Sequence, residues 1–263
     1  MLVSNFYWRM YQNFAMPSRI SEYGECIRCI RRQGYEFVTI PELISTARLG
    51  DGLRERICIL RNDVDTDPVT ALAMREEECR AGVQSTYYFR LSTADHEIVK
   101  AVRETGAEVG YHYEELATIA KRLRLRTRAQ VLPYMSMIRS EFRANFYRFS
   151  DICGFTPRTI ASHGDFANRF LKMANTEIID LNLRKELNII VEAYDKEVEN
   201  LIDARIIDRE LPIMWSPESP EAAVTRGARF IRILVHPRQW RVNRLLNLRE
   251  DLARICEGVK YHA

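Results

Sequence analysis

Hydrophobic positions along the chain gather into short apolar runs, set apart by longer stretches whose apolar residues recur at helical spacing. The runs ICILRNDV (57–64), STYYFR (85–90), EVGYHY (108–113), TIASH (159–163), NIIVEAY (188–194), ARIID (204–208) and FIRILVH (230–236) predict β-strands. Between them, PVTALAMREEECRAG predicts a helix opened near Pro68 and closed at Gly82, and DHEIVKAVRETG and PEAAVTRGARF follow the same punctuation. Residues 1–55 carry mostly helical pattern and are expected to pack outside the sheet. Strands alternating with helices predict an α/β protein with a parallel sheet, either open or closed into a barrel. No repeat or low-complexity linker interrupts the chain, so residues 1–263 read as a single domain, with the strand-bearing unit beginning at 56.

Composition narrows the class. With 46% apolar and 29% charged residues the chain can bury a full-sized core, which excludes a disordered or fibrous protein. No stretch reaches the ~20 uncharged apolar residues of a membrane helix, and the start lacks a basic segment leading into an apolar one. The expectation is a cytoplasmic chain that does not span a membrane. A net charge of +3 is too small for a nucleic-acid binder. Of the 39 basic residues 33 are Arg, the better fork for phosphate and carboxylate, so an anionic substrate is allowed; codon bias would give the same count. Six cysteines without an export signal are expected to stay reduced, and the one CxxC, Cys26 and Cys29, falls in an amphipathic helix pattern where a structural role is expected.

The residues able to do chemistry collect at the C-terminal ends of predicted strands, the edge where parallel α/β proteins build active sites. Asp63 and Asp65 end the first, Arg90 the second, His112 the third, His163 the fourth and His236 the last. Two residues apart on an extended backbone, Asp63 and Asp65 point the same way and crowd two carboxylates unless a cation or proton joins them. Asp67 is assigned instead to the cap of the helix starting at Pro68. His112 follows Gly110, which lets backbone or ligand come close, and a His beside carboxylates is how catalytic zinc and related ions are held. Glu114 reads as ligand, orienting group or helix-start acid; Glu115 reads as helix start. His163 is expected as the third metal ligand, or as a group orienting one. His236, between an apolar strand and Pro237, fits a general acid. Trp240 could wall a sugar or simply pack.

These segments, LRNDVDTDPVTALAMREEECRAGVQSTYYFR, GAEVGYHYEEL, ASHGDF and ILVHPRQW in that order, resemble the polysaccharide deacetylase family with the NodB-homology fold over about residues 20–245. The likeness is greatest to its cytoplasmic branch of sugar-modifying enzymes in surface-polysaccharide and lipopolysaccharide O-antigen biosynthesis. The resemblance implies a distorted (β/α) barrel of about seven parallel strands, one divalent ion, usually zinc, and hydrolysis of an acetyl group from an amino sugar. The expected partner is an acetylated sugar, with its carrier (nucleotide, lipid or polymer) left open. It implies Asp63 as base, Asp65 and His112 as ligands and His236 as the closing-motif His. From their positions at the strand ends, Arg90, Glu114 and Trp240 are expected toward substrate. Two positions depart from the family pattern. Leu116 stands where a second ligand His is common, and Asn62 stands where the branch often has His before Asp-Val-Asp. The third ligand therefore falls to His163, or to Glu114, or else the ion is weakly held or absent; the alternatives to a deacetylase are an altered barrel that binds a sugar or a partner enzyme, and another metal-assisted hydrolase.

Overall fold

The computed structural model describes residues 2–50 and 55–262; positions 51–54 of the expected helical extension lie outside it. Nine strands form among the described residues: β1 (Glu36–Phe37), β2 (Ile57–Val64), β3 (Thr86–Phe89), β4 (Glu108–Tyr113), β5 (Thr159–Ser162), β6 (Val191–Glu192), β7 (Ala204–Asp208), β8 (Trp215–Ser216) and β9 (Phe230–Val235). They hydrogen-bond in the order β6-β5-β4-β3-β2-β9-β7-β8, with β1 on the first residues of β2. Every ladder is parallel except β7–β8. The expected seven-stranded barrel is thus seen as a mostly parallel α/β sheet, and no ladder joins β6 to β8 among the described residues.

The extension was expected only to pack outside the sheet. It does supply helices, Ile20–Arg32 and Ile40–Leu49, but it also threads β1 into the ladder below β3. NIIVEAY contributes a two-residue strand where seven residues were expected. The helix Pro68–Ala81 is bounded as its sequence requires: the Asp67 carboxylate accepts the Thr70 N–H, and Gly82 turns left-handed at φ 61°.

Alternation along β2 decides where charge can go. Cys58 and Leu60 face outward, into a core with Tyr23, Ile27 and Met74 from the covering helices. Ile57 and Ile59 face inward, into a cluster shared with Tyr88, Ala161, Val191 and Phe230. Because that cluster takes side chains from β2, β3, β5, β6 and β9, the sheet curls around it. A second outer core stacks Tyr87, Val109, Tyr111 and Ile160 on helices His96–Glu104, Glu115–Leu123 and Met135–Cys153, which bury Phe142, Phe146 and Phe149 at about 1.5–3 kcal/mol each. The inward row of β2 continues past its apolar floor into Arg61, Asp63 and then Asp65, so the curl turns from hydrocarbon to charge at its C-terminal rim. Helices Leu2–Phe14 and Arg244–His262 lie against each other beside that rim.

Candidate active site

Asp63 is the deepest group. Arg61, fully buried, donates from Nε and Nη2 to the two Asp63 oxygens, each at 2.7 Å. The guanidinium is itself sandwiched between the rings of Tyr88 and Tyr194, at 5.2 and 4.5 Å from their centroids. Burial would raise the Asp63 carboxyl, but Arg61 and then His112 outweigh it and hold the group below its ordinary value.

Asp65 stands one step above. Its Oδ1 is buried and has no hydrogen-bond partner, yet it lies 3.2 Å from His112 Nε2 and 3.5 Å from His163 Nε2. The two imidazoles meet edge to face with centroids 5.2 Å apart. Against the cost of burial, His163 and His112 hold the Asp65 carboxyl well below its usual range. His112 Nδ1 pairs with the Ala161 carbonyl at 2.9 Å, which makes it the protonated nitrogen and leaves Nε2 facing the carboxylates. Burial disfavours a charged His163, but Asp65 and Glu114 push it up to about 9. Glu114 approaches His163 Nδ1 at 3.2 Å with Oε2 and accepts from Arg90 with Oε1 at 2.6 Å. Burial is outweighed there too, and Glu114 falls to about 2. It makes no helix cap through its side chain. Glu115 instead turns inward and accepts from Tyr111, Asn145 and the Glu114 N–H.

On the far side of Asp63 comes His236. Its backbone N–H and Nδ1 bind the two oxygens of Asp208, the last residue of β7, at 2.7 and 2.6 Å. Burial opposes its charge, Asp208 outweighs burial, and the imidazole rises to about 9. A cleft of about 370 Å³ opens over Asp63, Asp65, Asp208 and His236. A second hollow of about 310 Å³ lies beyond Asp65, against Arg90 and His163.

The structure therefore brings Asp63, Asp65, His112, His163 and His236 to one rim, with Arg90 and Glu114 at its edge. Trp240 is a correction. It is 1% exposed, packs on Tyr23 and Trp215, and donates its indole N–H to Asp208, so it supports the site from behind and offers no wall to a sugar. The two departures also acquire a meaning. Leu116 points into the aromatic core, with no line to the rim. Asn62 faces the opposite side of β2 from Asp63 and binds Tyr23 and the buried carboxylate of Glu78.

Sequence reasoning missed Arg61 and Asp208. Arg61 had a signal: a lone cation inside an apolar strand, two residues before Asp63, must share its face. Asp208 ends a predicted strand just as Asp63 does, and could have been found by the same rule.

The donors at the rim suit a borderline divalent ion, one carboxylate with two imidazoles and an open side. The unpartnered Asp65 Oδ1 fits that use. Among the described residues, however, no three His, Cys, Asp or Glu side chains stand in a ready-made metal cage, and the trio is held as an ion-pair cluster.

No family model matches the chain, and no curated protein matches it. Among solved structures it is similar to Streptococcus pyogenes deacetylase PplD in complex with acetate, at 9% identity and TM-score 0.46, over 68% of this chain and 77% of that one. It is also similar to a Streptococcus mutans CE4 esterase, at 13% and 0.45, over 88% and 90%. A third is BA3943, a CE4 family pseudoenzyme from Bacillus anthracis, at 12% and 0.42, over 79% and 63%. Likenesses of this size carry no argument about chemistry, which rests on the residues above.

Proposed function

We propose that the chain is a hydrolase that removes an acetyl group from a sugar with the help of one divalent ion, zinc first among candidates. The observation that carries this reading is Asp65 Oδ1, a buried carboxylate oxygen with no well-aligned hydrogen bond among the described residues, 3.2 and 3.5 Å from the Nε2 atoms of His112 and His163. The ordered motif resemblance supports it, and on that resemblance alone we place the activity in the cytoplasm, in surface-polysaccharide or O-antigen biosynthesis. Asp65, His112 and His163 would hold the ion, which when bound polarises the acetyl carbonyl and lowers the pKa of water from about 16 toward 7.

The remaining work falls to the chain. The Ala161 carbonyl fixes the His112 tautomer, and Glu114 steadies His163. Asp63 takes the proton of the attacking water; Arg61 occupies one lone pair on each of its oxygens and keeps it ionised, at some loss of basicity. His236, kept charged by Asp208, gives its proton to the departing amine. Arg61 and Asp208 are positioning residues in this scheme.

A second reading, a protein on this fold that binds a sugar without chemistry, draws on Leu116 and on a cluster whose charges already close among themselves. One experiment separates them: metal analysis of protein purified without chelator, with acetate release from a panel of acetylated sugars. We expect a stoichiometric ion that His112→Ala loses. Asp63→Asn and His236→Ala should retain the ion while turnover falls by about 10²–10⁴. Metal-free wild-type protein that releases no acetate sinks the deacetylase and leaves the binder.

A further inference from the structure

We propose that the cleft beside Asp63 and Asp65 takes a phosphate-bearing sugar, with Arg9, Arg209, Arg238 and Arg254 forming an anion-binding half that receives a phosphate ester or diphosphate. The sugar half rests on the deacetylase reading; the phosphate half rests on how charge is distributed around the cleft.

Of the four acids that line the cleft, Asp63 and Asp208 are committed, and Asp65 faces His112 and His163. Both oxygens of Asp63 are held by Arg61 from beneath, and both oxygens of Asp208 by His236. The cations are not. Arg9 and Arg238 converge on a single oxygen of Asp251, at 3.1 and 2.8 Å, so two guanidinium groups share one carboxylate. Arg209 and Arg254 also line the cleft and form no ion pair among the described residues, although Glu210 lines it with them. A solvated surface arginine needs no partner. Four that reach one concavity from the first helix, the segment after β7, the segment after β9 and the last helix are a different matter, because they repel one another until an anion arrives.

The neighbouring hollow shares Arg254 with the cleft and adds Arg169, but its Lys121 is bonded to both Asp165 and Glu257 and its Arg90 to Glu114. On the side of His236, Arg209 and the two arginines that share Asp251 add to Arg254, so the less answered charge gathers there. It is also too large for a carboxylate, which one guanidinium fork satisfies; several forks suit the greater charge and acceptor number of a phosphate. A phosphate held there would anchor the substrate by a part that does not react, leaving the acetyl group to be placed at Asp65.

The test is calorimetric titration of the full chain with four ligands on one acetylated hexosamine: the 1-phosphate, the uncharged methyl glycoside, a carboxylate-bearing analogue and the diphosphate ester. The phosphate esters should bind about tenfold or more tightly than the glycoside at low salt, with the advantage shrinking as salt rises. Arg209→Gln and Arg254→Gln should each remove most of that advantage, leave affinity for the glycoside unchanged and leave the melting temperature where it was. Nucleoside and short-prenyl diphosphate forms then identify the carrier. Equal binding of ester and glycoside overturns the proposal, as does equal loss of both ligands in the variants, or a carboxylate analogue that binds as tightly as the phosphate. Binding is read without turnover, so the two readings fail separately. A phosphate preference with no acetate release sinks the deacetylase and keeps this subsite; acetate released equally fast from glycoside and ester does the reverse.

Discussion

Replacing Arg61 by Met tests the centre of the site. The side chain is fully buried and supplies both hydrogen bonds to an Asp63 that is itself only 3% exposed. Removing one partner of a buried ion pair costs about 3–5 kcal/mol, because the other charge is left in low dielectric. For a domain of this size that lowers the melting temperature by roughly 6–20 °C. The sign with pH follows from the same pair. In the wild type the Asp63 pKa is depressed, so its contribution is present above the ordinary carboxylate value and fades as pH falls. In the variant only His112 and His236 are left to offset burial, so that pKa rises above its wild-type position and the deficit grows as pH rises through it. The Arg61→Met deficit should therefore be larger at pH 8 than at pH 5. Denaturant titrations at both pH values would measure it, alongside Asp63→Leu and the double variant in a double-mutant cycle. The double variant should recover much of the loss, since an apolar pair of similar volume is often no worse than a buried ion pair. A deficit under about 1 kcal/mol, or a coupling energy near zero, would show that Arg61 does not hold Asp63 in the way described.

Asp208→Asn should release His236 from its charged state. Its stabilising contribution is present below the ordinary His value and lost as pH rises through about 9, so the alkaline limb of the pH–activity profile should move from near 9 toward 6.5 in the variant. An unmoved limb would remove His236 from the acid role. Gly110→Ala would place a Cβ 2.5 Å from the Thr159 carbonyl oxygen and 2.6 Å from the Tyr88 ring, between strands that cannot part cheaply. A loss of about 1–3 kcal/mol in denaturant titration is expected, and a neutral result would mean that the β4–β5 contact is looser than described. Leu116→His restores a family-like residue in name only. It buries an imidazole among aromatic rings, so melting should drop by several degrees with no gain in bound metal, and increased metal retention would contradict the core position.

Short apolar runs made the rim legible. They identified β2, β4, β7 and β9 nearly to the residue, and with them the strand ends that bear Asp63, Asp65, His112 and His236. Local capping chemistry was equally readable, since Asp67 and Gly82 act within a few residues of themselves. What stayed hidden depended on distant partners. β1 and β8 are two residues long and exist only because β2 and β7 offer an edge, so no periodicity announces them. In NIIVEAY, only Val191 and Glu192 pair in the ladder with β5, and the flanking isoleucines pack into two different cores. Trp240 looked like a ligand wall because its neighbours in sequence are at the rim; the Tyr23 and Trp215 rings that cover it arrive from residues far along the chain. The role of Arg61 was written in its spacing to Asp63 and needed only the strand's alternation to be applied to cations as well as to carboxylates.

The contact between the first and last helices has a consequence for how the molecule comes into being. Arg9 and Asn13 grip Asp251 across 242 and 238 residues of chain, and Arg9 and Arg254 line one cleft. During synthesis the carboxylates of β2 emerge long before β9, the strand that pairs with them, and before the helix that walls the cleft beyond it. That wall closes only once residues 244–262 are in place, so a chain clipped before residue 244 would carry the charged rim half-built and open to water.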